Sequence, residues 1–249
     1  MRLCIFAISN FPLSARKKEV RLINEHLSPS NAQRLRLFEA YRGRGHRSSN
    51  LFVVYSVKTG QDWVLPSDRH LVHWIHYLET DPEVHGFTFT SEGNSADSRL
   101  CLVDVLLSSG TWVRHQLGQK RAEQSDHALE PQNEHPADNP SPTDIRVFTD
   151  EDLRPFVKTS LRWLKAIAFA SALRDQEYTH QTLLLLECFR QQANGNVGQV
   201  LAKAEVCEQE PAVILGLIVR LCIKGHIRLD LTANGFGYHT PWILLVNGP

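Results

Sequence analysis

The sequence lacks any apolar run that approaches the roughly 20 residues a helix needs to cross a bilayer. Residues 1–8 also lack a full signal-peptide core and a small-residue cleavage site, so we expect a cytoplasmic protein with no membrane contact. The five cysteines are scattered and form no Cys-x-x-Cys pair, which argues against a disulfide framework and a zinc ribbon. The formal net charge of zero excludes a uniformly basic nucleic-acid coat, although it is compatible with a local basic patch.

The composition that remains is typical of a globular protein. The chain has 249 residues, of which 42% are hydrophobic and 22% are charged. That length is sufficient for one large domain or two small ones with real cores.

Charge is distributed unevenly along the chain. Residues 1–50 contain ten Lys and Arg but only three Glu, which predicts either a phosphate-binding surface or a plain solvated basic face. Residues 122–144 contain six acidic residues and four prolines but no Lys or Arg. This composition predicts an extended or disordered loop, which would repel DNA and should therefore lie away from any DNA path or shield a basic surface.

Residues 51–153 have the pattern of a mixed α and β structure. Strands are predicted at residues 51–57, 62–65, 84–90, 100–107, 111–117 and 145–148. The first two flank a turn at residues 58–61 and predict a hairpin. Ser67 or Asp68 is predicted to cap a helix that ends at Asp81-Pro82 and has one apolar face, formed by Leu71, Trp74, Ile75 and Leu78. Thr149 is predicted to cap a short acidic helical turn.

Residues 155–249 have the pattern of helices followed by a hairpin. Two amphipathic helices are predicted around residues 161–168 and 182–189, and two more at residues 197–204 and 211–223. Residues 194–196 are predicted to form a loop, and Lys224-Gly225 a helix C-cap. Two strand-like segments, 226–231 and 238–245, follow around a turn. This order is typical of a winged helix, a layout that also serves contacts between proteins.

Several residue types allow both a functional and a structural interpretation. Asp104 lies within an apolar strand, where an unpaired carboxylate is costly, so it belongs either to a site or to a structural pair. His70, His73 and His76 are spaced i, i+3, i+6, and exposed side chains are favoured over a zinc site. For four tryptophans, a position in the hydrophobic core is favoured over a role in stacking on bases: Trp63, Trp74, Trp112 and Trp163.

Five short motifs occur in a defined order along the chain. They are Arg42-Gly43-Arg44-Gly45-His46-Arg47 before the hairpin, Ser67 with Asp81-Pro82-Glu83-Val84 around the helix, Val103-Asp104-Val105-Leu106 with Gly110, the segment Phe148-Thr149-Asp150-Glu151-Asp152-Leu153, and Gly225-His226-Ile227-Arg228-Leu229-Asp230-Leu231. In this order and spacing the chain resembles the TnsA-like endonucleases, the nuclease subunits of heteromeric transposases. The likeness extends over most of the chain.

The resemblance implies a fold and a set of partners. It implies an α/β restriction-endonuclease-like domain of the PD-(D/E)XK type over residues 1–155, with a mixed sheet flanked by helices, and a mainly α winged-helix domain over residues 156–249. The implied partners are double-stranded DNA, a DDE transposase and an AAA+ ATPase. If the nuclease centre is active, the implied cofactor is Mg²⁺, which carboxylates hold so that it polarises a phosphate and activates water.

The resemblance also assigns candidate site residues. Asp104 matches the metal-binding aspartate and Gln116 the Glu or Gln of the last strand motif. The family's lysine position falls on Gly118, and Lys120 reaches the site only with a bulge or register shift. The family's helix glutamate falls on His70 or Leu71, so Asp68 is the nearest replacement acid. The implied catalytic set is therefore Asp68, Asp104, Gln116 and Lys120, with DNA contacts from Arg42, Arg44 and Arg47, and we expect its catalysis to be weakened or lost.

Three functions follow from these patterns. The first is a DNA-binding TnsA-like subunit of a transposition or mobile-element complex with an impaired nuclease centre. The second is an active Mg²⁺-dependent endonuclease that nicks 5′ transposon ends. The third is a non-catalytic adaptor that binds proteins and has little affinity for DNA.

Overall fold

The computed structural model describes residues 50, 52–90, 101–118, 144–205 and 209–245. Within these ranges the protein belongs to the α/β class and has a mixed sheet flanked by helices, which confirms the predicted class. The predicted basic segment, residues 1–50, and the predicted acidic loop, residues 122–144, lie outside the described residues apart from the last residue of each.

The first part of the described chain contains a hairpin, a helix and a four-stranded sheet. In chain order these elements are β1 (Phe52–Tyr55), β2 (Asp62–Leu65), α1 (Asp68–His73), β3 (Val84–Thr90), β4 (Cys101–Leu107), β5 (Trp112–Leu117) and β6 (Asp144–Phe148). β1 and β2 pair antiparallel, with Phe52 opposite Leu65, and Gly60 takes a φ of 65° in the turn between them. The predicted hairpin is therefore confirmed.

The four-stranded sheet has the order β3-β4-β5-β6. β3, β4 and β5 run antiparallel to one another, and β6 runs parallel to β5. These strands confirm the predicted ones to within a residue or two at each end. Parallel neighbours need a crossover connection of a dozen or more residues, and the acidic, proline-rich stretch is the part of the chain that joins β5 to β6.

One face of this sheet is buried and the other is not. Val103, Val105, Val113, His115 and Leu117 point to the buried face, each at most 3% exposed. The alternating residues of β4 and β5, together with two exposed residues of β6, form the opposite face. We call it the Asp104 face, and its members are Leu102, Asp104, Leu106, Trp112, Arg114, Gln116, Ile145 and Val147.

α1 begins at the predicted cap and changes its winding after two turns. The Ser67 side chain accepts a hydrogen bond from the backbone N–H of His70 at 3.4 Å. From Trp74 the chain continues as a π-helix, Trp74–Glu79, whose last hydrogen bond joins the N–H of Thr80 to the carbonyl of Ile75 at 3.0 Å. The predicted apolar face is confirmed, because its members are all buried: Leu71, Trp74, Ile75 and Leu78.

The prediction of exposed histidines on this helix is wrong. His73 is 1% exposed, and His70 and His76 are half-buried. The reason is that α1 and the π-helix contact β2, β3 and the long helix that follows β6, so more than one side is covered. The prediction assumed that a helix with a single apolar stripe is covered by other elements on one side only. This helix is covered on more than one side.

A short connection leads from β6 to the helices. Thr149 and Asp152 form a reciprocal capping box at the start of α2 (Asp150–Leu153), which confirms the predicted cap. A 3₁₀ turn, Arg154–Phe156, then leads into α3 (Val157–Ala172).

The last part of the chain alternates helices with short strands. Its further elements are α4 (Thr179–Arg190), β7 (Asn194–Asn196), α5 (Val197–Glu205), α6 (Pro211–Ile223), β8 (Ile227–Leu229) and β9 (Pro241–Leu244). The three strands form an antiparallel sheet in the order β7-β9-β8. All four predicted helices are present. Gly225, with a φ of 80°, follows α6 as the predicted C-cap.

The predicted loop at residues 194–196 is wrong, because these residues form β7. Its composition favours a turn, but β9 offers a backbone ladder, and Gly195 pairs with Trp242 across it. A Cβ on Gly195 would lie 3.2 Å from the Trp242 ring. The indole Nε1 of Trp242 also donates to the carbonyl of Asn196 at 3.1 Å. Contacts distant in sequence therefore decide this segment.

α6 is buried along most of its length. Between Ile214 and Ile223 only Arg220 and Cys222 are half-buried, and the other side chains are buried. α3 packs along it and approaches closely at Gly216, where an added Cβ would lie 2.7 Å from the carbonyl oxygen of Phe169. A helix that is apolar on all sides is typical of a core.

One continuous apolar cluster includes side chains from both predicted domains, such as Trp74 and Trp163. The boundary at residue 155 stays a prediction. Of the helices that the structure describes, none combines the length and the apolar character that crossing a membrane requires.

Candidate functional site

Asp104 lies in the middle of β4. Its side chain is on the Asp104 face of the sheet and points toward β5. The carboxylate is held by Arg114, which lies directly opposite on β5. Arg114 Nε donates to Oδ1 at 2.7 Å and Nη2 donates to Oδ2 at 3.1 Å. The two side chains are 20% and 27% exposed, so the pair is largely shielded from water.

This pairing has a direct chemical consequence for a metal site. A guanidinium remains charged at all ordinary pH values, and its two parallel N–H groups match the two oxygens of a carboxylate. Arg114 therefore neutralises the charge of Asp104 and occupies both of its oxygens. A divalent cation at this carboxylate would therefore compete with that guanidinium for the charge and the oxygens of Asp104.

Gln116 shares the Asp104 face but has a different cross-strand partner. It lies opposite Leu102 on one side and beside Val147 on the other. Its position is diagonal to Asp104, a relation that places Cα atoms roughly 7–8 Å apart in an antiparallel pair. The structure therefore brings Asp104 and Gln116 onto one face of the sheet. The group that contacts Asp104 there is Arg114 of β5.

Asp68 lies at the exposed first position of α1. Its carboxylate accepts a hydrogen bond from the side-chain amide of Asn50 at 3.0 Å. The next residue, Arg69, forms an ion pair with Asp150 and donates to the carbonyl of Gly118 at 3.1 Å. The start of α1 thus meets the end of β5, and Gly118, at the family's lysine position, presents a backbone carbonyl to an arginine.

The remaining predicted site residues lie outside the described ranges. These are Lys120 and the three arginines Arg42, Arg44 and Arg47. Their roles stay predictions. Within the part of the chain that the structure describes, no group of three or more His, Cys, Asp or Glu side chains is placed to hold a metal ion.

A buried histidine pair beneath the sheet is a feature that the sequence interpretation missed. His73 Nε2 and His115 Nδ1 lie 3.2 Å apart, both rings pack against Phe148, and both residues are at most 3% exposed. Burial lowers the pKa of His115 to about 4 and holds that of His73 well below its usual value. Both rings are therefore neutral near pH 7, and one N–H lies between them. The alternation Val113, His115, Leu117 is the signal that would have placed His115 inside.

A second buried polar network fixes the hairpin to the π-helix. Glu79 is fully buried and accepts hydrogen bonds at 2.6 Å from the hydroxyl of Ser56 and from the N–H of Val57. Lys58 Nζ donates to the carbonyl of Leu78 at 2.9 Å. Burial raises the pKa of Glu79 to about 7 and lowers that of Lys58 to about 8. Ser56 is 0% exposed, so its hydroxyl is not accessible to a substrate. We therefore assign this network a stabilising role in the hairpin.

Comparison with protein-family models and with curated protein sequences finds no match for this chain. The interpretation of the Asp104 face therefore depends on its own geometry and on the motif resemblance.

Proposed function

We propose that this chain is a DNA-binding, TnsA-like subunit of a transposition or mobile-element complex, and that its nuclease centre is impaired. The observation on which the proposal depends most is the bidentate pair between Asp104 and Arg114. By resemblance Asp104 is the metal-binding aspartate, and Mg²⁺ is bound by carboxylate oxygens that retain their negative charge. Here that charge is compensated within the protein.

The lysine position supports the same proposal. In a phosphodiester-cleaving centre, a cation beside the metal stabilises the charge that develops on the phosphate. The equivalent position is Gly118, and the cation that contacts it, Arg69, is bound to the Gly118 carbonyl and to Asp150. An active centre would need Lys120 and a rearranged Arg114.

The active-endonuclease alternative therefore makes a specific demand. Asp68, Asp104, Gln116 and Lys120 must converge on a metal that competes with Arg114 for the carboxylate of Asp104. A metal held by these residues would polarise the phosphate and activate water, the chemistry needed to cut one DNA strand.

The protein-binding adaptor is favoured by a different observation, the burial of α6. The order of α4, β7, α5, α6, β8 and β9 is compatible with a winged helix. In DNA-binding members of that class, the helix before the hairpin projects side chains into the major groove. The central turns of α6 project no exposed side chain, and α3 packs along them. If the chain binds DNA, we therefore expect the contacts to come from the basic segment, residues 1–50, rather than from α6.

Two assays separate these proposals. The first is nicking of supercoiled and element-end DNA with Mg²⁺ or Mn²⁺, comparing the full chain with Asp104→Ala, with and without any transposase encoded beside this gene. We expect no nicking by the chain itself. Nicking that depends on Asp104 would establish the active enzyme and refute the impaired centre.

The second assay measures the affinity for duplex DNA as a function of salt. Each phosphate contact that releases a counterion contributes roughly 0.9 to the slope of log K against log salt. We expect the triple variant Arg42→Gln/Arg44→Gln/Arg47→Gln to reduce that slope. A matched control removes three exposed cations elsewhere, Arg154, Lys158 and Lys165. Equal slopes for both variants would contradict the assignment of the arginines, and the absence of salt-dependent binding would favour the adaptor.

A further inference from the structure

A cavity of about 590 Å³ lies between the hairpin and the C-terminal helices, away from the Asp104 face. β1 contributes Tyr55, α4 contributes Thr182, and the end of α6 contributes Arg220 and Lys224. A volume of this size is within the usual range for small-molecule sites. The functions proposed above do not use this cavity.

The three cations of the cavity are not equivalent. Arg174 already has a counterion, because its guanidinium lies 3.2 Å from the buried carboxylate of Asp62. Arg220 and Lys224 form no ion pair with any carboxylate in the ranges that the structure describes. These two cations of the cavity wall therefore have no directly paired counterion among the described residues.

Arg220 is the cation whose position is fixed. Its Nη1 donates to the carbonyl of Gln176 at 2.9 Å, and its Nε lies 3.4 Å from the carbonyl of Ala170. Carbonyl groups orient the guanidinium but do not neutralise it, and the side chain is half-buried. Burial lowers the pKa of Arg220, which is the expected response of a cation that has lost water without gaining an anion. A guanidinium has five donors in total, so it retains donors for a bound ligand.

Neutral hydrogen-bond donors also line the cavity. Burial raises the pKa of Tyr55, so its hydroxyl keeps its proton and can donate a hydrogen bond. Thr179, at the start of α4, also lines the cavity. The residue before it, Tyr178, has a φ of 51°, a conformation uncommon for a residue with a side chain.

The two acids that line the cavity lie at its exposed edge, where Lys224 is exposed as well, and the buried carboxylate of Asp62 is paired with Arg174. Asp175 and Glu177 are both exposed, whereas Tyr55 and Arg220 are half-buried. Charge interactions are stronger where water is excluded. Arg220 therefore dominates the less solvated part of the cavity, and the two acids weaken the positive potential at its edge.

We propose that this cavity binds the phosphate group of a small phosphate monoester, with Arg220 and Lys224 holding the anion and the Tyr55 hydroxyl donating to it. A phosphate presents several strong acceptor oxygens and suits bidentate contact by an arginine. The proposal is independent of DNA binding and of the state of the Asp104 face, because no residue is shared between them.

The test is isothermal titration calorimetry of the full chain with adenosine monophosphate and with inorganic phosphate, at constant ionic strength and with adenosine as the uncharged control. We expect both phosphates to bind and adenosine not to bind. Lys224→Gln should weaken the binding of adenosine monophosphate by roughly threefold to tenfold, because one charged contact is lost. Glu177→Gln should strengthen it by about twofold, because a like charge at the edge is removed. The matched control is Arg228→Gln, an exposed position on β8 that does not line the cavity.

Several outcomes would overturn the proposal. One is the absence of binding by either phosphate at millimolar concentration. Equal losses for Lys224→Gln and Arg228→Gln would indicate non-specific attraction. Displacement of adenosine monophosphate by a short DNA duplex, with loss of duplex affinity in Lys224→Gln, would assign the cavity to nucleic acid instead. Loss of folding would weaken the binding of adenosine monophosphate in both variants. Weaker binding in Lys224→Gln together with stronger binding in Glu177→Gln would therefore report on the charges themselves.

Discussion

The buried pair of His73 and His115 predicts how the stability of the protein depends on pH. Both rings are neutral in the folded chain because burial lowers the pKa of each from the ordinary histidine value of 6.5. As pH falls below about 6.5, the unfolded chain takes up protons that the folded chain does not, so stability decreases. The stability that these rings contribute is therefore fully present above pH 6.5 and is progressively lost toward the folded pKa, which is about 4 for His115.

The size of the effect follows from the pKa of His115. At pH 5 an unfolded histidine is about 97% protonated and a group with a pKa of about 4 is about 9% protonated, so the two states differ by about 0.9 proton. This difference gives a slope of about 1.2 kcal/mol per pH unit in the free energy of unfolding. Between pH 6.5 and 4 the contribution of His115 changes by about 3 kcal/mol.

The measurement must isolate this contribution from others with the opposite sign. Glu79 has a raised pKa, so its contribution to stability grows as pH falls toward its unfolded value. Arg146 also lowers the pKa of His115 through its charge. We therefore compare wild type with His115→Gln by urea unfolding monitored through tryptophan fluorescence, at several values between about pH 4.5 and 7.

We expect the slope of His115→Gln at pH 5 to be smaller than the wild-type slope by about 1 kcal/mol per pH unit. The control is His180→Gln, an exposed residue on α4, which should retain the wild-type slope. Identical slopes for wild type and His115→Gln would refute the argument that His115 is neutral and buried in the folded chain.

Three further predictions concern other contacts. Gly216→Ala should destabilise the protein by about 1–3 kcal/mol in thermal unfolding, because its Cβ would lie 2.6 Å from Leu173; an unchanged melting temperature would contradict the close crossing of α3 and α6. In a double-mutant cycle, Asp104→Asn and Arg114→Gln should show a coupling of about 1 kcal/mol in urea unfolding, and additive effects would argue against the ion pair. The stability of wild type relative to Glu79→Gln should fall as pH rises from about 4.5 through 7, and a constant difference would contradict a buried carboxyl with a raised pKa.

Local patterns predicted much of the fold because their causes are local. Ser67 and Thr149 are caps whose side chains reach backbone N–H groups three residues away, so spacing alone identifies them. Gly60 and Gly225 adopt positive φ at the ends of their elements. The strands at residues 84–90 and 111–117 followed from alternation, which requires only that one face of a sheet is buried, and those at 51–57 and 100–107 followed from β-rich or apolar runs.

The candidate site was less accessible to such arguments. Asp104 was identified within an apolar strand, and a structural partner was one of the two alternatives for it. Asp104 contacts Arg114 because of the register between β4 and β5. The separation of ten residues between them in the sequence does not determine that register. His73 was misjudged for a related reason, because the number of sides on which α1 is covered is set by distant elements.

The sequence by itself determined the α/β class of the described chain, its caps, its turns and most of its strands and helices, because hydrophobic periodicity and turn chemistry act over a few residues. Only the tertiary structure decided that Arg114 compensates Asp104, that residues 194–196 form a strand against Trp242, that α6 is buried beneath α3, and that Arg220 lines a cavity in which no described carboxylate pairs with it. Each of these depends on register or packing between segments far apart in the chain, and a pattern within one segment does not contain that information.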